Sequence, residues 1–235
     1  NATTETMTEL KNATLEASCF AGMDQTKIYV GAQNGLHVYD LVRQQFDTIS
    51  KQDPMLKERI VAMTMTQDSL LWIATANNGL IVVKHDQVLT HITTENGLRS
   101  NHLLTIAVGR PYQIWVATNT GISIIDYSAK HPTIQNLSVH DGLTSNIINQ
   151  FYYKNDTMFA ATENGVSVIP ANIVIPTFDI PVELTGVSIN NRDTILQHEY
   201  SLKSNQNNIN VQFAGVELSG HFRNAQLSVD EGLTW

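Results

Sequence analysis

The sequence predicts an all-β chain, and three observations carry that expectation. Short runs rich in β-branched and aromatic residues alternate with Gly, Asn and Asp breaks over most of the length. One pattern recurs: apolar, aromatic, apolar, small, a polar step, Gly and an apolar run. It reads IYVGAQNGLHVYD from Ile28, LWIATANNGLIVV from Leu71, IWVATNTGISIID from Ile114 and MFAATENGVSVIP from Met158. No helical periodicity competes with it between residues 28 and 170.

These starts are spaced 43, 43 and 44 residues apart. Four antiparallel strands fit a unit of that size, which is the size of a β-propeller blade. In the third unit, strands are expected near 103–108, 113–118, 122–126 and 133–139. Hairpin turns are expected at Gly109–Arg110–Pro111 and Asn119–Thr120–Gly121, where glycine tolerates positive φ. The aromatics Tyr29, Trp72, Trp115 and Phe159 share a sheet face with the small residue two places on: Gly31, Ala74, Ala117 and Ala161. Large beside small suits face-to-face packing of sheets, so these aromatics are expected in the core rather than as sugar platforms.

A second repeat sits between the units. Residues 93–103 read TTENGLRSNHL and residues 138–148 read SVHDGLTSNII. Each lies between the last strand of one blade and the innermost strand of the next. Its Gly and Asn suit a turn, and its Leu is placed to plug between blades. DPMLKER at 53–59 fills the same position in degenerate form. Because strands alternate in direction, these connectors and the T-x-x-G turns share one rim.

Composition narrows the function. The chain has 235 residues and a net charge of −8, with its 14 Lys and Arg scattered, which argues against a nucleic-acid partner. The single cysteine, Cys19, permits no internal disulfide and reads as a small buried hydrophobe. No apolar run reaches membrane-spanning length and the chain opens without a signal peptide. The histidines at 37, 85, 91, 102, 131, 140, 198 and 221 form no ligand motif, and no nucleotide or nucleophile-elbow signature occurs, so no metal or cofactor is expected. SVDEGLTW at 228–235 matches a sialidase Asp-box, S-x-D-x-G-x-T-W. It stands once, outside the repeats, and Arg43, Arg59, Arg99, Arg110, Arg192 and Arg223 share no repeat position for binding a substrate carboxylate. It therefore reads as a turn in which Asp230 bonds backbone amides. The sequons at Asn1, Asn12, Asn136 and Asn155 read as chance in an Asn- and Thr-rich chain.

NGLRSNHLLTIAVGRPYQIWVATNTGISIID resembles the two-component regulator propeller repeat, whose consensus runs NGL-x-SN-x-V…IW-(I/V)-(G/A)-T…GL…(Y/F)D. The resemblance covers about residues 15–170, more loosely in the first two units. After Pro176 and Pro181, residues 184–190, 208–213 and 227–235 are similar to the triple-tyrosine (Y-Y-Y) domain, an immunoglobulin-like sandwich. Gln226, Leu227 and Ser228 stand where its late tyrosines belong. The expected organisation is propeller repeats over 1–175 and the N-terminal part of the sandwich over 176–235.

The resemblance implies the extracytoplasmic, periplasmic sensor of a bacterial two-component receptor, with the membrane reached only through segments outside this chain. Its implied ligand is a small molecule or an oligosaccharide, and no catalysis is expected here. Ligand is expected at the propeller rim, on Arg99, Asn101, His102, Asn119, Ser145, Asn146 and Glu163. Two alternatives stay open: a glycan-active propeller enzyme of sialidase or lyase type, and a scaffold used only for dimerisation. Four repeats are few for a ring. They form part of a larger one, an incomplete solenoid, or half of a head-to-tail homodimer.

Overall fold

The computed structural model describes residues 15–22, 26–47, 53–175, 182–197, 199–206 and 208–215. The chain divides into two units, 1–175 and 176–235.

The first unit is a series of antiparallel sheets, one per repeat. Strands β1 (Ala17–Gly22), β2 (Lys27–Ala32), β3 (Gly35–Asp40) and β4 (Gln45–Asp47) pair in sequence order. So do β5 (Ile60–Met65), β6 (Leu71–Thr75), β7 (Leu80–Lys84) and β8 (Gln87–Ile92). The third sheet follows with β9 (Leu103–Val108), β10 (Gln113–Thr118), β11 (Gly121–Asp126) and β12 (Thr133–Leu137). β12 stops short of the expected 139 because Ser138 caps a 3₁₀ turn over Val139–Asp141. The fourth sheet has β13 (Ile148–Lys154), β14 (Thr157–Thr162) and β15 (Gly165–Pro170), with no fourth strand among the described residues.

The sheets meet face to face, and the alternation of side chains decides what each face offers. At the first joint Tyr29, Leu36 and Val38 pack on Leu71, Ile73, Ile81 and Val83. At the second, Trp72, Ala74, Leu80 and Val82 pack on Ile114, Val116 and Ile125. At the third, Trp115, Ala117, Ile122 and Ile124 pack on Met158, Ala160 and Ile169. An aromatic–small face thus always meets an aliphatic face. Each joint also holds one connector leucine: Leu56, Leu98 and Leu143, all buried. Phe159 departs from expectation. It lies on the outer face of the last sheet, where no further sheet follows among the described residues, and it is only half-buried.

The hairpins use the repeated threonine and glycine together. Thr75, Thr118 and Thr162 donate through Oγ1 to the carbonyls of Gly79, Gly121 and Gly165 at 2.7, 3.0 and 3.0 Å. Gly121 has φ +135°, and a Cβ there would stand 2.2 Å from the Leu137 carbonyl oxygen. Gly142 also has positive φ, but a Cβ there meets nothing within 4 Å.

One ion pair ties the first two sheets. The Tyr29 hydroxyl donates to Asp86 Oδ1 at 2.5 Å and Lys27 Nζ to Oδ2 at 2.9 Å. Burial opposes ionisation of Asp86, but these two donors outweigh it and hold the carboxyl below its ordinary range. Cys19 is half-buried with a free thiol. Burial pushes its pKa up to about 11, against a weaker opposing hydrogen bond from the Gly31 backbone, as befits an inert packing residue.

The second unit shows a three-stranded antiparallel sheet of β16 (Val182–Ile189), β17 (Arg192–Thr194) and β18 (Ile209–Gly215), in the order β17-β16-β18. Two of the sandwich-like stretches supply β16 and β18. The third, with the Asp-box and Asp230, lies outside the described residues, as do Asn1, Asn12, His198, His221 and Arg223.

Gly121→Ala is expected to cost more than about 2 kcal/mol by clash and strain, and Gly142→Ala only about 1 kcal/mol by strain alone; urea unfolding of both variants checks the difference. A depressed Asp86 pKa gives stability that is present above the unfolded value and lost as pH falls below it. The melting temperature is therefore expected to fall from pH 5 downward, and less steeply in Asp86→Asn.

Candidate functional site

The unit has two rims. The connectors and T-x-x-G turns form one, and the hairpins joining first to second and third to fourth strands form the other.

The connector rim is built from the repeated G-L-x-S-N. Thr93 and Ser138 each cap a 3₁₀ turn in a reciprocal box with Asn96 and Asp141. Gly97 and Gly142 end these turns in left-handed geometry. Asn101 Oδ1 then accepts from the Thr94 amide at 2.8 Å, and Asn146 Oδ1 from Val139 at 2.9 Å. Ser100 and Ser145 accept from the amides of His102 and Ile147 at 3.1 Å. The buried Ser123 and Ser167 receive the amides of Arg99 and Thr144, each at 3.0 Å. Arg99 Nε donates to the Thr120 carbonyl at 2.6 Å, and His102 Nδ1 lies 2.9 Å from Asn77 Oδ1.

The structure brings the expected site residues into two groups. Arg99, Asn101, His102 and Asn119 gather at the second joint, where the Asn119 amide donates to the His102 carbonyl at 3.2 Å. Ser145, Asn146 and Glu163 gather at the third, where the Glu163 amide donates to Ile147 at 3.4 Å. All are tied into turn hydrogen bonds, and none lines the clefts described below.

The hairpin rim carries two clefts on either side of the β9–β10 turn. The first, about 220 Å³, is lined by Thr66, Gln67, Asp68, Val108, Gly109, Pro111, Tyr112 and Tyr127. Tyr112 and Tyr127 form its wall, meeting edge-on at 5.6 Å, and the buried Trp72 ring lies 4.9 Å behind Tyr127. Burial raises the Tyr127 pKa, against a hydrogen bond with Thr66, so its hydroxyl stays neutral at pH 7. Thr66 Oγ1 donates to Asp68 Oδ1 at 2.5 Å. Tyr112 is 53% exposed and has φ +63°, a region that costs a bulky side chain and suits glycine.

The second cleft, about 180 Å³, is polar and is lined by Arg110, Gln113, Asp126, Thr133, Gln135 and Asn172 among others. Gln113 Oε1 accepts from Trp115 Nε1 at 2.9 Å, and its Nε2 donates to the Ala171 carbonyl at 2.9 Å. Gln135 Oε1 is buried in the lining without a hydrogen-bond partner. In the preceding repeat Leu70 occupies the position of Gln113, and Trp72 Nε1 is likewise without a partner. Among the described residues no group of three or more His, Cys, Asp or Glu is placed to hold a metal.

The repeated G-L-x-S-N points to the connector rim; the hairpin rim is marked instead by departures from the repeat, Pro111-Tyr112 in one turn and Leu70 where the next unit has Gln113.

Known structures share this architecture. The computationally designed protein Ika4 matches at TM-score 0.51 and 16% identity, over 69% of this chain and 98% of its own. The extracellular domain of the hybrid two-component system BT4673 from B. thetaiotaomicron matches at TM-score 0.52 and 18% identity, over 83% of this chain. The Cps50 (Swd1) β-propeller domain of Myceliophteria thermophila matches at TM-score 0.51 and 13% identity, over 66%. The repeat sheets are propeller blades. The chain spans 27% of the length of the BT4673 domain and 52% of Swd1. No family model and no curated protein matches the chain.

Removing a connector bond is expected to cost stability. Asn101→Ala is expected to lose about 1 kcal/mol, and Arg99→Ala about 1.5–3 kcal/mol through its charged donor. Chemical denaturation of the two variants reads both.

Proposed function

We propose that this chain is the ligand-sensing part of an extracytoplasmic receptor of the bacterial two-component type, and that the Tyr112–Tyr127 cleft takes a neutral, hydroxyl-rich ligand such as an oligosaccharide. One observation carries the reading of the cleft: Tyr112 keeps an exposed ring in a backbone conformation that glycine would adopt without cost. Backbone strain of this kind, beside an aromatic wall, is a pointer to function. Tyrosine rings offer flat faces to the C–H side of a sugar, while Thr66, Asp68 and Gln67 offer hydroxyl partners. The periplasmic setting, and a kinase output on the far side of a membrane, are part of the same proposal. Its support is the likeness in fold to a two-component extracellular domain.

In this reading the connector-rim residues frame the blades. Ligand at the hairpin rim bridges the second and third sheets and biases their packing. No residue is assigned a catalytic role.

The test is calorimetry and thermal shift against an oligosaccharide panel. Tyr112→Gly is expected to keep stability within about 1 kcal/mol, since lost ring contact offsets relieved strain, while weakening ligand binding at least about tenfold. Unchanged affinity in Tyr112→Gly removes the cleft from the mechanism. Sugar release from the panel replaces the sensor reading with the enzyme one.

A further inference from the structure

A one-way chain of hydrogen bonds ends in the Tyr112–Tyr127 cleft. Thr66 is buried, and its Oγ1 lies 2.5 Å from Asp68 Oδ1 and 3.2 Å from the Leu70 carbonyl oxygen. A carboxylate and a carbonyl only accept, so the single hydroxyl proton of Thr66 is committed to them. The Tyr127 hydroxyl also bonds to Thr66. Thr66 has no second proton to give, so Tyr127 is the donor in that bond. Each proton of the chain Tyr127–Thr66–Asp68 is thus used within it, and the carboxylate at its end has acceptor capacity to spare. Asp68 is exposed, and among the described residues its Oδ2 has no partner.

The turn that carries the acid is closed by backbone bonds. The Thr66 amide donates to the Leu70 carbonyl and the Ser69 amide to the Thr66 carbonyl, each at 3.0 Å. Asp68 is therefore held at the cleft before any ligand arrives. It is also the one charged side chain among the described residues of the lining, which includes no Lys, Arg or His. The faces of the Tyr112 and Tyr127 rings are themselves electron-rich. A carboxylate or sulfate entering the cleft meets a like charge and two ring systems, with no cation to offset them. A sugar hydroxyl meets the opposite: it donates to an ionised oxygen, which gives a shorter and stronger bond than a neutral pair. One carboxylate oxygen has lone pairs for two such donors.

We propose that Asp68 is the specificity-determining residue of this cleft: its free Oδ2 takes a pair of neighbouring hydroxyls on an uncharged sugar, and its charge turns away sugars that bear a carboxylate or a sulfate. The inference rests on the reading of the cleft as a sugar site. It narrows the ligand class to neutral glycans with adjacent free hydroxyls and excludes acidic ones. The division of roles follows from the chain of bonds. The tyrosines supply ring surface, which every sugar can use, whereas Asp68 supplies the one contact that depends on the sugar's charge and on its hydroxyl pattern. Thr66 is a positioning residue, fixing the carboxylate through Oδ1 and the Tyr127 ring through its hydroxyl.

Calorimetry on the full chain tests this with matched sugars: cellotetraose, β-1,4-mannotetraose and every other neutral oligosaccharide of the panel that binds, each beside the same oligosaccharide oxidised at C6 to the uronic acid. The unaltered chain is expected to bind the oxidised form at least about tenfold more weakly. Asp68→Asn keeps an Oδ1 acceptor for Thr66, so the turn is expected to stand and the melting temperature to hold. That variant is expected to lose about tenfold in affinity for the neutral sugar, since its bonds are no longer charge-assisted, and to lose most of the preference against the oxidised one. Raising the salt concentration is expected to narrow the preference in the unaltered chain and to change little in Asp68→Asn. Tyr112-dependent binding that is unchanged in Asp68→Asn overturns this inference alone. A preference for the neutral sugar that persists in Asp68→Asn also overturns it, and assigns the rejection of anions to the chain's net charge of −8 as a whole. A panel in which no sugar binds, or binding indifferent to Tyr112→Gly, overturns the reading of the cleft itself and this inference with it.

Discussion

The joint between successive sheets is the constraint on which this molecule depends. A single four-stranded sheet of this length has two apolar faces and no way to bury them alone. Stacking places a large ring over a small residue on one face and a branched aliphatic layer on the other. Trp72 and Trp115 are buried because Ala74 and Ala117 make room beside them. Truncating a buried aromatic of this kind typically costs about 3–5 kcal/mol. The connectors serve the same joint: their leucines enter it, and their serines and asparagines satisfy the backbone where the chain turns from one sheet to the next.

The two rims differ in their bonding. Hydrogen bonds on the connector rim are many and reciprocal. On the hairpin rim the turns differ from repeat to repeat, and among the described residues two buried side-chain groups without a hydrogen-bond partner are Trp72 Nε1, whose ring packs on Tyr127, and Gln135 Oε1 in the second cleft. Turn-forming residues repeat because every joint needs them, whereas the hairpin turns are free to differ.

That division explains what was legible in the sequence. Period gave the strands of the third sheet to within two residues, the burial of Tyr29, Trp72 and Trp115, and the entry of Leu98 and Leu143 into the joints. Phe159 escaped the same logic because burial needs a neighbour, and a repeat position cannot say whether one follows. The connector residues stood out by repetition, and the same repetition marks Asn101 and Asn146 as turn pins. Tyr112, Tyr127 and Asp68 were hidden because they come together from separate turns of two sheets, a proximity set by stacking and not by spacing.

The sameness of the joints bears on how such a chain changes over time. Any stretch running from one connector to the next carries one donor face and one acceptor face. Duplicating or deleting that stretch leaves every surviving joint chemically matched. Growth by whole blades is therefore open to the gene by simple recombination, whereas an insertion of a few residues within a blade shifts the strand register and turns apolar side chains to the wrong face. Spacings of 43, 43 and 44 residues meet that constraint.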